Sequence, residues 1–188
     1  MNCVITTTTL RAEPRIHQTP SEPDILSYAI TNCELGRILV ARSTKGVCSI
    51  LIGDEADALI ADLARRFPKS MLNADENDVK DDIGKVLRYV AKPSEGLHLE
   101  LDMRGTPFQR QVWEKLQKIP VGQTVSYTEL ASSLSPLFHS RSVATACAAN
   151  PIALAVPCHR VVRSDGTLAG YRWGLERKRN LIEKEAAA

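Results

Sequence analysis

The residues best able to do chemistry in this chain are Pro157-Cys158-His159-Arg160, which follow the apolar run Ile152-Ala153-Leu154-Ala155-Val156. A thiol beside an imidazole and a guanidinium, at the end of a segment too hydrophobic for a surface loop, is how a reactive thiolate would be built. The thiolate is the nucleophilic form, and positive neighbours lower the pKa that controls its population. The competing reading makes Cys158 one more small buried hydrophobe, the common fate of a free cysteine. A second candidate comes from helical phase in the last segment. At 100° per residue, Leu181, Ile182 and Glu185 share one face with the stem of Lys178, whereas Glu183 points roughly the opposite way. A carboxylate on an apolar face needs a partner, and the imidazole of His159 is the candidate. Periodicity therefore nominates Glu185 over Glu183, with fraying near the terminus as the alternative. Between these sites lies Gly170-Tyr171-Arg172-Trp173-Gly174, a glycine-bracketed aromatic and basic loop suited to stacking on a base or lining a pocket.

The elements that must position these residues can be read from capping and breaker signals. Thr106-Pro107-Phe108-Gln109 starts a helix with a capping box, and Phe108, Val112, Leu116 and Ile119 give it a buried stripe. Ser126-Tyr127-Thr128-Glu129 is a second capping box, opening a short helix to Leu134. After the breaker Ser135-Pro136 a helix runs from Ser140 to Ala149 and ends at Asn150-Pro151. Helix, turn, helix in a basic segment resembles a DNA-binding helix-turn-helix. The second helix is rich in small residues, with Arg141 its single charged side chain. That composition suits either a tightly packed core helix or close, mostly sequence-independent contact with DNA. Val161-Val162 reads as a short strand and Ser164-Asp165-Gly166-Thr167 as a tight turn.

Upstream, Ser27–Ile30, Arg37–Arg42 and Val47–Ile52 read as strands of a small antiparallel sheet, separated by turns at Glu34-Leu35-Gly36 and Thr44-Lys45-Gly46. A helix capped by Asp54 is expected to run to Phe67, and a second from Asn77 to Val90. The alternating Leu97, Leu99, Leu101 and Met103 predict a closing strand. This gives a weakly ordered lead-in over residues 1–24, an α/β scaffold domain over 25–103 and a second domain over 104–188. The first of these domains offers no catalytic cluster.

Charge follows the same division. Residues 1–103 carry 12 Lys and Arg against 16 Asp and Glu, and residues 104–188 carry 12 against 6, so a balance of −4 faces one of +6. A basic C-terminal half suggests a polyanionic partner. Five widely spread cysteines without a C-x-x-C pair argue against a disulfide framework or zinc knuckle and for a reducing compartment, the cytoplasm. The 44% hydrophobic content without a run approaching ~18 apolar residues predicts a soluble chain with no membrane partner.

Taken together, Pro157-Cys158-His159-Arg160, Asn150-Pro151, Ser126-Tyr127 and Gly170-Tyr171-Arg172-Trp173-Gly174 resemble the O6-alkylguanine-DNA alkyltransferases, in particular the C-terminal methyltransferase domain of bacterial Ada proteins. The resemblance implies a ribonuclease-H-like α/β domain followed by a mostly helical, winged-helix-like DNA-binding domain. It implies direct-reversal repair, in which the methyl group of O6-methylguanine, or less efficiently O4-methylthymine, passes irreversibly to Cys158. Each molecule would act once, as a monomer on double-stranded alkylated DNA approached from the minor groove.

Under that resemblance His159 is the base, Glu185 orients it, Asn150 holds the turn presenting Cys158, and Tyr127 donates to the purine. Arg141, with Ser142 after it, fills the stack left by the flipped base. Arg160, Tyr171, Arg172, Trp173 and Lys178 complete the residues expected around the DNA and the pocket. Neighbours in sequence tend to point apart, so a water is expected between Cys158 and His159 rather than a direct hydrogen bond. The turn Ser135–Ser140 departs from the family's glycine- and alanine-rich pattern, which bears on DNA affinity rather than transfer. Nothing resembles a metal-binding region, and neither a metal nor a cofactor is expected. The alternatives are a related protein that binds damaged bases without transfer, a cysteine hydrolase, and a plain helix-turn-helix regulator.

Overall fold

A computed structural model describes residues 23–188, so the expected lead-in lies outside the described residues except at its last two positions. Strands β1 (Ile25–Cys33), β2 (Gly36–Ser43) and β3 (Gly46–Gly53) form two consecutive hairpins. Both turns fall where the Gly36 and Gly46 signals put them. Gly46 is required there, because at φ 134° an added Cβ would lie 2.5 Å from the carbonyl oxygen of Glu100. Ile38–Ala41 and Val47–Ile52 are continuously buried, the pattern of a sheet covered on both faces.

Helix α1 (Ala56–Arg66) buries Leu59 and Leu63, and α2 (Glu76–Ala91) buries Val79, Val86, Tyr89 and Val90. The expected Asp54 cap does not form. Glu55 takes the N-cap position without a side-chain bond, and Asp54 instead pairs with Arg177 at 2.5 Å. Asp75 caps α2 by accepting from the amides of Asn77 and Asp78. A strand absent from the sequence reading, β4 (Met71–Ala74), adds in parallel to β1, giving the order β3-β2-β1-β4. The closing strand expected over Leu97–Met103 reduces to one bridge, Leu101 to Val47. The backbone there is held by Val47 N–H donating to Glu100 O and Asp102 N–H donating to Val47 O.

The remainder is mostly helical. In α3 (Pro107–Leu116) the Thr106 and Gln109 capping box is complete, as is that of Ser126 and Glu129 at the start of α4 (Tyr127–Leu134). Helix α5 (Ser140–Ala148) packs on both, and Trp113 Nε1 donates to Ala146 O at 2.9 Å. Its residues divide between two faces: Val143, Ala146 and Cys147 are buried, as a packed helix requires, while Arg141, Ser142, Thr145 and Ala148 are exposed. Strands β5 (Val125–Ser126) and β6 (Val161–Val162) pair in parallel, and α6 (Leu175–Ala186) closes the chain.

One hydrophobic cluster runs through both halves. The segment leading to Cys158 lies against β3, with Ile50 N–H donating to Pro151 O and Ala153 N–H to Ile50 O, both at 2.9 Å. The sheet thus supports the backbone that carries the thiol. Among the described residues no helix is long and apolar enough to cross a membrane.

Candidate active site

Asn150, fully buried, organises the chain ahead of Cys158. Its Oδ1 accepts from Ile152 N–H at 2.9 Å, and its Nδ2 donates to Val156 O at 2.8 Å and to Cys158 Sγ at 3.3 Å. Two tight turns follow. Ala155 N–H donates to Ala153 O across Leu154, which sits at φ 68°, and Cys158 N–H donates to Val156 O across Pro157. The first has the left-handed central residue of the rarer γ-turn, and the second resembles the common inverse form. A leucine in the left-handed region persists only where its surroundings fix it, and here the Asn150 amide spans both turns. Asn150→Ala strands the buried Ile152 N–H and leaves Val156 O with Cys158 N–H as its remaining partner. It should therefore cost about 1–3 kcal/mol, read as a lower urea midpoint. A midpoint matching the parent would show that the amide does not hold these turns.

Cys158 is buried, and burial pushes its thiol up to about 11, against the Asn150 hydrogen bond and the Lys178 charge. The cation that acts on it is therefore Lys178 rather than the adjacent Arg160. His159 is wholly buried, and its Nε2 lies 2.6 Å from Glu185 Oε1. The same carboxylate accepts from Tyr89 Oη at 2.5 Å and from Arg160 through Nε at 2.8 Å and Nη2 at 3.0 Å. Burial raises the Glu185 pKa, but the bonds from His159, Arg160 and Tyr89 outweigh it and hold it at about 2. Burial lowers His159, partly offset by Glu185.

These directions fix the tautomer. An ionised carboxylate can only accept, so His159 Nε2 carries the hydrogen and Nδ1 carries the lone pair. Nδ1 is buried and has no hydrogen-bond partner among the described residues, nor does any hydrogen bond there join Cys158 Sγ to the ring. The site thus holds a neutral thiol near an imidazole whose free nitrogen is basic and whose far side is braced by a carboxylate.

An open groove of about 540 Å³ lies beside this network, lined among others by Tyr127, Arg141, Arg163, Tyr171 and Arg172. Tyr127 is the first residue of α4, half-buried, and burial pushes its phenol up to about 12. Arg141 and Ser142 are exposed at the start of α5. The Tyr171 ring packs edge-on against Trp173, with centroids 5.1 Å apart, and its buried hydroxyl has no partner among the described residues.

Three residues expected around the DNA and the pocket are buried. Arg160 is buried, engaged by Glu185, Tyr89 and the Ile119 carbonyl. Lys178 is wholly buried and donates to Val161 O at 2.6 Å and Ala169 O at 3.2 Å, so it braces the loop from beneath. Trp173 is buried and packs rather than facing the groove. Sequence reasoning missed Tyr89, Arg163 and Asp62. The sole advance signal was for Tyr89, whose place on the apolar stripe of α2 leaves a hydroxyl needing a partner. Among the described residues no group of three or more His, Cys, Asp or Glu side chains is placed to hold a metal ion.

Residues 107–187 match the family model of the 6-O-methylguanine DNA methyltransferase DNA-binding domain. The bifunctional transcriptional activator/DNA repair enzyme Ada of Escherichia coli is 47% identical over 85% of this chain, which spans 45% of that protein's length. The crystal structure of a Mycobacterium tuberculosis OGT in complex with DNA superposes with a TM-score of 0.70 at 29% identity, over 87% of this chain and 93% of that one. A methylated-DNA–protein-cysteine methyltransferase of Candida albicans is 35% identical over 85% of this chain and 96% of its own length. Matched across almost the whole of that relative, with its thiol, imidazole and carboxylate drawn together beside an open groove, the chain belongs to the O6-methylguanine-DNA methyltransferase family.

Proposed function

We propose that this chain repairs alkylated DNA by direct reversal, transferring the methyl group of O6-methylguanine, and less efficiently O4-methylthymine, irreversibly to Cys158. The observation that carries the proposal is the buried Cys158, His159 and Glu185 arrangement beside a groove flanked by arginines. Cys158 Sγ attacks the methyl carbon. The sulfur–carbon bond forms as the carbon–oxygen bond breaks, and that electron pair passes to O6 of guanine. The thiol proton goes to His159 Nδ1 through a water, consistent with the free Nδ1. Tyr127 protonates the departing purine and is reprotonated from the network, so one proton leaves sulfur and one arrives on guanine. The thioether is not a leaving group, so each molecule acts once, and no cofactor is needed.

The methyl carbon is out of reach inside a duplex, so the base is flipped, with Arg141 offsetting a cost of a few kcal/mol. The partner is double-stranded DNA met from the minor-groove side by α4 and α5, and the protein acts as a monomer in the cytoplasm. Residues 104–188 provide the DNA and acceptor domain. Residues 25–103 are its scaffold, to which Tyr89 adds a direct bond to Glu185. A hydrolase reading is disfavoured because the Cys158 N–H, the natural oxyanion donor, is engaged by Val156 O at 2.8 Å. Incubation with a methylated duplex should add one methyl mass to the peptide holding Cys158. Several methyl groups removed per protein molecule, or an unmodified Cys158 after repair, would overturn the proposal.

A further inference from the structure

Arg172 forms part of the groove wall, and what fixes it comes from the other half of the chain. Its Nη2 reaches both carboxylate oxygens of Asp62 on α1 at 2.7 Å. Asp62 is mostly buried, with a side chain 14% exposed against 30% for Arg172, so this pair is less screened than an ordinary surface ion pair. Asp62 also holds Arg66 at 3.3 Å, and Arg66 Nη1 donates to Ala149 O, the carbonyl just before Asn150. One carboxylate is therefore tied to two sides of the groove, the Gly170–Gly174 loop and the C-terminal end of α5.

Packing alone does not hold Arg172. It borders the substrate groove on one side and a second cleft of about 350 Å³ on the other, the latter lined by Asp62, Ala58 and Trp173. The loop has a glycine at each end: a Cβ added at Gly170 would meet nothing within 4 Å, and Gly174 sits at φ 100°. Lys178 anchors the loop at Ala169 O and Arg177 anchors it at Trp173 O, but Arg172 between them has the ion pair as its tether.

Resting on the transfer reading above, we propose that Asp62 is a positioning residue that locks Arg172 as the groove's outer wall and so limits the size of alkyl group accepted. Asp62→Asn keeps the shape and removes the charge, leaving Arg172 free to swing into the second cleft. The test is single-turnover transfer at saturating duplex, which cancels affinity differences, from O6-methylguanine and from O6-benzylguanine placed in the same sequence. The benzyl-to-methyl rate ratio should rise at least threefold in Asp62→Asn and equally in Arg172→Gln, with no further rise in the double variant, while Asp62→Glu restores most of the parent ratio. An unchanged or lower ratio, or additive single effects, overturns the proposal. A purely structural role would slow both substrates together. Failure of the parent protein to transfer either group would instead sink the transfer reading itself.

Discussion

Cys158→Ala is expected to abolish methyl uptake while leaving a folded protein that still binds a lesion-bearing duplex. Removing the sulfur deletes a single buried heavy atom and leaves the Asn150 bond to Val156 O in place, so the stability cost should stay near 1 kcal/mol. The other described thiols cannot take over. Burial pushes Cys48 up to about 12 and raises Cys33 and Cys147 as well, and none of the three accepts a hydrogen bond from the Asn150 amide as Cys158 does. Rate should therefore fall by more than about 10³-fold, the scale of losing an enzyme's nucleophile. Cys158→Ser should behave the same way, since an alcohol in the same buried site is a far weaker nucleophile than a thiolate. Anisotropy with a labelled duplex reports binding, and mass spectrometry reports uptake. Methyl appearing on Cys147 in the alanine variant would show that the His159 network is not what selects the acceptor.

How far the molecule could be read in advance depended on whether the deciding interactions were local. The capping boxes at Thr106 and Ser126 are contained within four residues, and both form. The helical phase that separated Glu185 from Glu183 is also local, and Glu185 is buried against His159. Strand β4 escaped notice because its four residues are mostly exposed and its pairing with β1 bridges 46 positions, from Ile25 to Met71. Conversely, the alternating leucines after α2 promised a strand, yet only Leu101 finds a partner. Arg160 and Lys178 were placed around the DNA and the pocket by the family resemblance, not by any local signal that they would be buried. They are internal because Glu185 and a pair of backbone carbonyls satisfy them, which is visible only once distant segments meet. Asp62 and Tyr89 were missed for the same reason. Both stand on helices of the N-terminal half, which looked like pure scaffold, and act on residues 96 to 110 positions later.

Glu185→Gln should have the second large effect, on rate and stability together. In the parent, moving the thiol proton to His159 creates a thiolate and an imidazolium, and Glu185 stabilises the latter through Nε2. Between the lowered pKa of His159 and the raised pKa of Cys158 the population of that pair does not vary with pH, so transfer should be flat from about pH 7 to 9. With glutamine the imidazolium loses its counter-charge, and thiolate must come from equilibrium with solvent. For a thiol at about 11, only ~1 in 10⁴ is ionised at pH 7. The variant should be slower by about 10²–10³-fold at pH 7 and should gain roughly tenfold per pH unit. Stability should fall by about 3–5 kcal/mol, because Arg160 is left as a buried charge without its carboxylate. Adding Arg160→Met removes that charge and should recover most of the stability but none of the rate, which separates the two roles. The parent's acid limit follows from the same group. Glu185 is held at about 2, below its ordinary 4.5, so its contribution is complete above about 4.5 and is lost as the pH falls towards 2. Glu185→Gln should lack that acid-dependent loss. A variant with a flat pH profile and a rate within threefold of the parent would remove Glu185 from the mechanism and leave His159 acting without a carboxylate.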